Sequence, residues 1–261
     1  ARRAVEVDSE SAESQAILGI VLDWRGKVTE AIGACLAATE LSSAYPLGYA
    51  CRAEAYGDQG RTADALQAAE QAVELAPDDA VVLRSLGYVY ELMGRYREAI
   101  QGYESAVQAN PNHAYIYLDL GRNQAALGDF ASATRSYERA IQLDPNAAYL
   151  RVQLGWSYYG QGAYRSAVTQ YEQAIALDPD YASAYGQLAM TYYVMRNYEA
   201  AIPIYEKAIE MDGMREEYAY GLGFCHAFTG HCDVALGWFE AALDVNPAST
   251  LAQQGLAFCT D

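Results

Sequence analysis

The chain has 261 residues, 34 of them acidic and 17 basic, for a formal charge of −17. A nucleic-acid backbone needs a basic stripe to meet its phosphates, so that partner is excluded and a neutral or basic one is favoured. No apolar run approaches the roughly 18 residues of a membrane span, and Ala1-Arg2-Arg3 leads into acidic residues rather than a signal-peptide core, so direct membrane insertion is not expected.

In chain order, Ala4-Val5-Glu6-Val7-Asp8-Ser9 matches the later stretch Ala140-Ile141-Gln142-Leu143-Asp144-Pro145, so the chain is expected to begin partway through a second helix, with a partial unit over 1–11. One pattern then recurs every 34 residues, giving seven units: 12–45, 46–79, 80–113, 114–147, 148–181, 182–215 and 216–249. A fixed period of this length describes a stack of helical pairs in one domain, each unit meeting mainly its neighbours. The first helix of each unit carries Gly or Ala at one place, as at Gly19, Gly87, Gly121 and Gly155, and the second carries Ala at two, as at Ala133 and Ala140. Small residues let two helix backbones approach closely while neighbouring leucines fill the seam. A glycine such as Gly128 or Gly162 ends most first helices, and a proline such as Pro145 or Pro179 stops most second ones.

Departures from the pattern are local. In the first two units Cys35 and Ala69 replace the aromatic found at Tyr103, Tyr137, Tyr171, Tyr205 and Phe239, and Arg52 replaces a seam leucine, so this end is expected to pack more loosely. Unit 182–215 has Arg196 in the glycine place, Pro203 inside its second helix and Gly213 for the proline, and a bend is expected there. Residues 250–261 cover only the first helix of an eighth unit, and the exposed apolar side expected for Leu251, Leu256 and Phe258 suggests end-to-end self-association. Five cysteines, an odd number, do not suggest a disulfide framework; a reducing, cytoplasmic setting with small core cysteines is expected.

Within 148–181 the spacing of Leu154-Gly155, Tyr158, Gly162, Ala167, Tyr171, Ala174 and Pro179 resembles the tetratricopeptide repeat, with Arg151 where that family has an early Trp. The resemblance implies an all-α, right-handed superhelical solenoid over 1–261 whose concave wall is lined by first helices. In that family the second, fifth, ninth, twelfth and thirteenth places of a unit face inward. Taken from residue 80 onward, those places give the candidate peptide-binding groove: Tyr88, Tyr115, Arg122, Tyr149, Trp156, Tyr159, Met190, Tyr193, Tyr220 and Phe224, with Arg84, Glu91 and Glu217 among them. Two readings stand for the ninth-place residues Tyr88, Trp156, Met190 and Phe224, which either pack on the next unit or face a ligand. As a set, an aromatic stripe on a helix already buried on its other side calls for a partner with apolar anchors.

No phosphate loop, dinucleotide fingerprint or nucleophile elbow is present, and no catalytic residue, cofactor or metal is expected. Cys225-His226 and His231-Cys232 flank one helix–helix turn with zinc-binding chemistry, but their spacing matches no metal module and Cys225, His226 and Cys232 fall on core places, so packing is expected ahead of a metal site or a Cys225–Cys232 bridge. The resemblance does not extend to the carboxylate clamp of chaperone-binding members, whose places hold Ala16, Ile20, Cys51, Val81 and Ser85. Of the asparagine ladder seen in other members, only Asp119, Gln153 and Gln187 offer a polar substitute. The function expected is a non-catalytic scaffold that binds a protein segment in an aromatic-lined groove; the alternative is the substrate-recruiting or regulatory part of a larger enzyme.

Overall fold

The structure is a computed structural model that describes residues 11–260, and among them it holds fifteen α-helices and no strand. These are α1 (Ala12–Asp23), α2 (Val28–Leu41), α3 (Pro46–Asp58), α4 (Thr62–Leu75), α5 (Ala80–Leu92), α6 (Tyr96–Ala109), α7 (Ala114–Ala126), α8 (Phe130–Leu143), α9 (Ala148–Gly160), α10 (Tyr164–Leu177), α11 (Ala182–Val194), α12 (Tyr198–Asp212), α13 (Glu216–Phe228), α14 (Cys232–Val245) and α15 (Thr250–Thr260). Odd-numbered helices up to α13 are the first helices of the seven 34-residue units, even-numbered ones are the second, and α15 is the helix expected over 250–261. The partial unit expected over 1–11 lies outside the described residues apart from Ser11, whose hydroxyl caps α1 by accepting from the Ser14 amide at 3.3 Å. Among the described residues no helix is long and apolar enough to cross a membrane.

Each first helix ends because one residue turns left-handed and the next amide reaches back to a carbonyl five residues earlier. Gly94 does this at φ 71°, followed by Arg95 N–H donating to the Tyr90 carbonyl at 2.8 Å. Arg196 holds the same place at φ 60°, with Asn197 N–H donating to Tyr192 O at 2.9 Å, so the closure survives without glycine at some conformational cost. Pro203 has no N–H to give α12, yet the helix runs unbroken to Asp212.

The chain divides between Leu143 and Asp144 into two compact units. In the first, α1 to α8 pack as successive pairs around alanines that are wholly buried, such as Ala99 and Ala106 on α6 and Ala133 and Ala140 on α8. The ring of each second helix lies against a glycine of its own first helix: a Cβ on Gly121 would come 2.6 Å from the Tyr137 ring, far inside contact distance. Where the first two repeats lack that ring, the sequence expectation is corrected. Cys35 and Cys51 form a disulfide between α2 and α3, and their sulfurs take the ring's place, each 2.5 Å from a Cβ built on Gly19. Around Ala69 the space is filled by Tyr56 and Val89 with Ile32 and Leu86 packed against them. The missing rings leave a cross-link and an aliphatic cluster rather than a void.

In the second unit, α9 to α15, Tyr171 lies on Gly155 and Phe239 on Gly223 in the same manner. Unit 182–215 has Ala189 at that place, clustered with Tyr205 of α12; Tyr205 also reaches Gly221 of α13, as Phe239 reaches Gly255 of α15, and the Tyr218 hydroxyl of α13 comes back to Gly186 of α11. A second disulfide, Cys232–Cys259, ties α14 to α15, and Cys225 stays free and buried. So four of the five cysteines are paired, against the reading of the odd count, and the ground for inferring a reducing compartment is removed. The bridge weighed between Cys225 and Cys232 does not form. His226 and His231 stand with ring centroids 6.4 Å apart and planes perpendicular, and among the described residues no group of three or more His, Cys, Asp or Glu is placed to hold a metal ion.

Candidate binding surface

In the first compact unit the inner-place residues of α1, α3, α5 and α7 form a charged network. Arg84 is its centre: Nε donates to Asp119 Oδ2 at 2.8 Å and Nη1 to Glu54 Oε1 at 3.0 Å, tying three first helices together. Its guanidinium also lies 5.9 Å from the centroid of Tyr88 and 5.2 Å from that of Tyr115, within cation–π range. Burial raises the carboxyls of Glu54 and Asp119 above their usual range, and the Arg84 charge opposes that rise. Beside this, Arg122 meets Glu91 Oε1 at 3.3 Å, while Glu91 Oε2 accepts from Tyr103 Oη at 2.8 Å and from Asn123 Nδ2 at 2.7 Å.

Toward α1 the network loses its cations. Asp58 accepts a hydrogen bond from the Tyr88 hydroxyl, a neutral donor. Asp23, only 8% exposed, has an Oδ1 with no hydrogen-bond partner among the described residues, and burial first, then the charges of Asp58 and Glu54, push its carboxyl up to about 7. Next to these groups opens a cavity of about 370 Å³ lined by Ile20, Trp24, Glu54, Val81, Arg84 and Tyr115, with Trp24 76% exposed.

In the second compact unit the inner wall is apolar and aromatic. Tyr149 (40% exposed) and Trp156 (39%) stand out on α9, and Tyr159 packs on the cluster around Ala148, Val152 and Leu188. Tyr193 of α11 meets Phe224 and Phe228 of α13, each at 6.4 Å between centroids, and Phe228 meets Phe258 of α15 at 5.6 Å. Met190 borders a smaller recess of about 220 Å³ with Tyr205, Asp212, Arg215 and Tyr218.

The ten residues singled out from sequence therefore divide. Tyr115, Tyr149, Trp156 and Arg122 are exposed; Tyr88, Tyr159, Met190, Tyr193, Tyr220 and Phe224 are half-buried. Phe224 spends part of its surface on the core formed with α14 and α15, as the packing reading has it, Tyr220 packs there too, and Val152, another inner-place residue, is wholly in the core. Tyr88, Tyr115 and Arg122 lie in the first compact unit and the other seven in the second. Starting the inner places at residue 80 missed Ile20, Asp23, Trp24, Glu54 and Asp58, although the same ninth, twelfth and thirteenth places of the first two repeats name all five.

Family models described as tetratricopeptide repeat match residues 118–182, 152–212 and 187–250, residues 78–146, and residues 46–79. The chain belongs to the tetratricopeptide repeat family. No curated protein matches it. Among solved structures it is similar to a chain of the APC/C hetero-tetramer Cut9–Hcn1, at 14% identity and a TM-score of 0.77, covering 98% of this chain and 51% of that one. This chain thus spans about half the length of that relative. It is also similar to MamA, at 26% identity and a TM-score of 0.60 over 64% of this chain and 92% of that one. A third likeness is to YrrB, described as a tetratricopeptide protein with an unusual peptide-binding site, at 21% identity, 84% and 96% coverage and a TM-score of 0.51. Repeats of this family are in general protein-interaction scaffolds.

Proposed function

We propose that the chain is a non-catalytic scaffold that binds a segment of a partner protein against the inner faces of its first helices. The observation that carries this reading is the pair of large aromatic side chains exposed on α9 of the second compact unit, Tyr149 and Trp156, beside the half-buried Tyr159 and Tyr193 of the same unit. A first helix already buries its opposite side against its own second helix, so rings held in water on the free side cost solvation and are repaid only when covered. Tyrosine and tryptophan suit that role because they add large contact area and a polar tip while freezing few rotamers. The bound segment is a stretch with apolar anchors. The charge of −17 favours basic residues within it. The two disulfides make an oxidising compartment the setting that fits the chain best.

The test is a pull-down of partner proteins by the wild-type chain and by the double variant Trp156→Ala with Tyr159→Ala. Loss of binding is expected, with unchanged circular dichroism. Undiminished recovery of every partner by the double variant overturns the reading.

A further inference from the structure

The recess at the α1 end of the first compact unit stands apart from the rest of that wall. Elsewhere each inner carboxylate meets a cation: Glu54 and Asp119 share Arg84, and Glu91 holds Arg122. Asp23 and Asp58 do not. Asp58 has the neutral Tyr88 hydroxyl, and Asp23, more than nine-tenths buried, has an oxygen with no hydrogen-bond partner among the described residues. A buried polar atom left unpaired in the free protein costs stability, and such an orphan facing two further carboxylates marks a place where a donor is owed. A bare metal ion is a poor candidate, since these carboxylates are not placed to ligate one ion together. A cation carried on a long apolar stem fits better, because the adjoining cavity of about 370 Å³ offers Ile20, Val81, Tyr115 and the exposed indole of Trp24.

We propose that this recess receives the cationic head of a lysine or arginine from the bound protein segment, paired with Asp23 and Asp58, while an adjacent apolar side chain of that segment fills the cavity beside Trp24. The inference rests on the reading of the inner wall as the binding face and names the chemistry of its ligand. Tryptophan is the strongest aromatic platform for a cation, and its exposed face covers the incoming stem as the carboxylates take the charge. Arg84 does not repel the guest outright, because Glu54 and Asp119 already neutralise it at 3.0 and 2.8 Å.

The experiment is selection of a phage-displayed random dodecapeptide library on the whole chain, followed by affinity measurement of the enriched peptides as synthetic, fluorescein-labelled probes. Enriched peptides are expected to place a lysine or arginine beside an apolar residue. They should bind Asp23→Asn/Asp58→Asn at least about tenfold more weakly than wild type. A control variant of equal charge, Glu70→Gln/Asp78→Asn, alters only exposed groups on α4 and the turn after it and should bind within about twofold of wild type, since screened surface charges contribute little. Both variants are expected to fold, since one removes a buried unpaired charge and the other a solvated pair. Peptides with no basic preference, or equal affinity for the Asp23/Asp58 variant, overturn the proposal; if those same peptides are lost with Trp156→Ala/Tyr159→Ala, the broader binding reading survives. Enrichment of no peptide at all overturns both.

Discussion

Asp23 illustrates how one residue trades stability for a ready site. Its carboxyl, raised to about 7 in the folded chain against 3.8 ordinarily, keeps in the native state a proton that the unfolded chain loses between about pH 4 and 7. A raised acid therefore contributes stability at low pH that is lost as pH climbs through that window. Asp23→Asn is expected to be more stable than wild type at pH 8 by on the order of 1–3 kcal/mol, with the difference shrinking below pH 5. Urea titrations at both pH values check it; a gain that does not depend on pH contradicts the assignment. Residue by residue, the sequence was legible where a repeat fixes the answer: the left-handed glycines and the buried alanines sit at their expected places, while the seating of the rings on glycine emerged from the structure. The state of Asp23 was not legible, since it depends on Asp58 and Glu54 arriving from another helix.

At the scale of helices the pairing was readable and the cross-links were not. The period of 34 with a glycine and a proline in most repeats fixed the helix starts and stops, because those residues act on their own backbone. Cys35 and Cys51 lie 16 residues apart on different helices, and whether their sulfurs meet depends on how α2 packs on α3. An odd total also concealed them, since Cys225 is simply a buried thiol. Each disulfide joins a helix of one repeat to the first helix of the next, so it limits separation of neighbouring repeats, the step by which a stacked array opens. Closing loops of 16 and 27 residues is worth roughly 3 kcal/mol apiece in the chain-entropy account. Cys35→Ser with Cys51→Ser is expected to lower the thermal midpoint by several degrees and to raise amide exchange in α1 and α2, while exchange in α10 and α11 stays as in wild type. Calorimetry and hydrogen exchange measure both; protection unchanged in α1 and α2 would count against a stabilising role. At Gly19 the sulfurs also fill the ring's seat, so the serine pair loses packing as well as the link.

For the molecule as a whole the charge of −17 acts in two opposite ways. Self-repulsion among carboxylates weakens the folded chain, and the same field draws a basic segment in. Raising salt from about 50 to 500 mM shortens the screening length from roughly 14 to 4 Å, so it is expected to raise the thermal midpoint slightly and to slow association with a lysine- or arginine-bearing peptide about tenfold or more, with little change in dissociation. Stopped-flow association at several salt concentrations checks this, and a rate that does not respond to salt refutes electrostatic guidance. Membership of a repeat class was legible from the period, and the charge already favoured a neutral or basic partner, whereas the gathering of Asp23 from α1 with Glu54 and Asp58 from α3 became visible only in the structure.

The rings seated on glycine bear on how such a chain changes length. Where the seat lies within one repeat, as for Tyr137 on Gly121 or Tyr171 on Gly155, a copied or deleted repeat carries both halves of that contact with it. Tyr205 on Gly221, Tyr218 over Gly186 and Phe239 on Gly255 are instead split between neighbouring repeats, although Phe239 also sits on Gly223 of its own repeat. Duplication or excision at the junctions of 182–215 with 216–249 and of 216–249 with 250–261 parts a ring from a glycine that it covers, so lineages or engineers extending the array there are constrained to bring a small residue back beneath each ring.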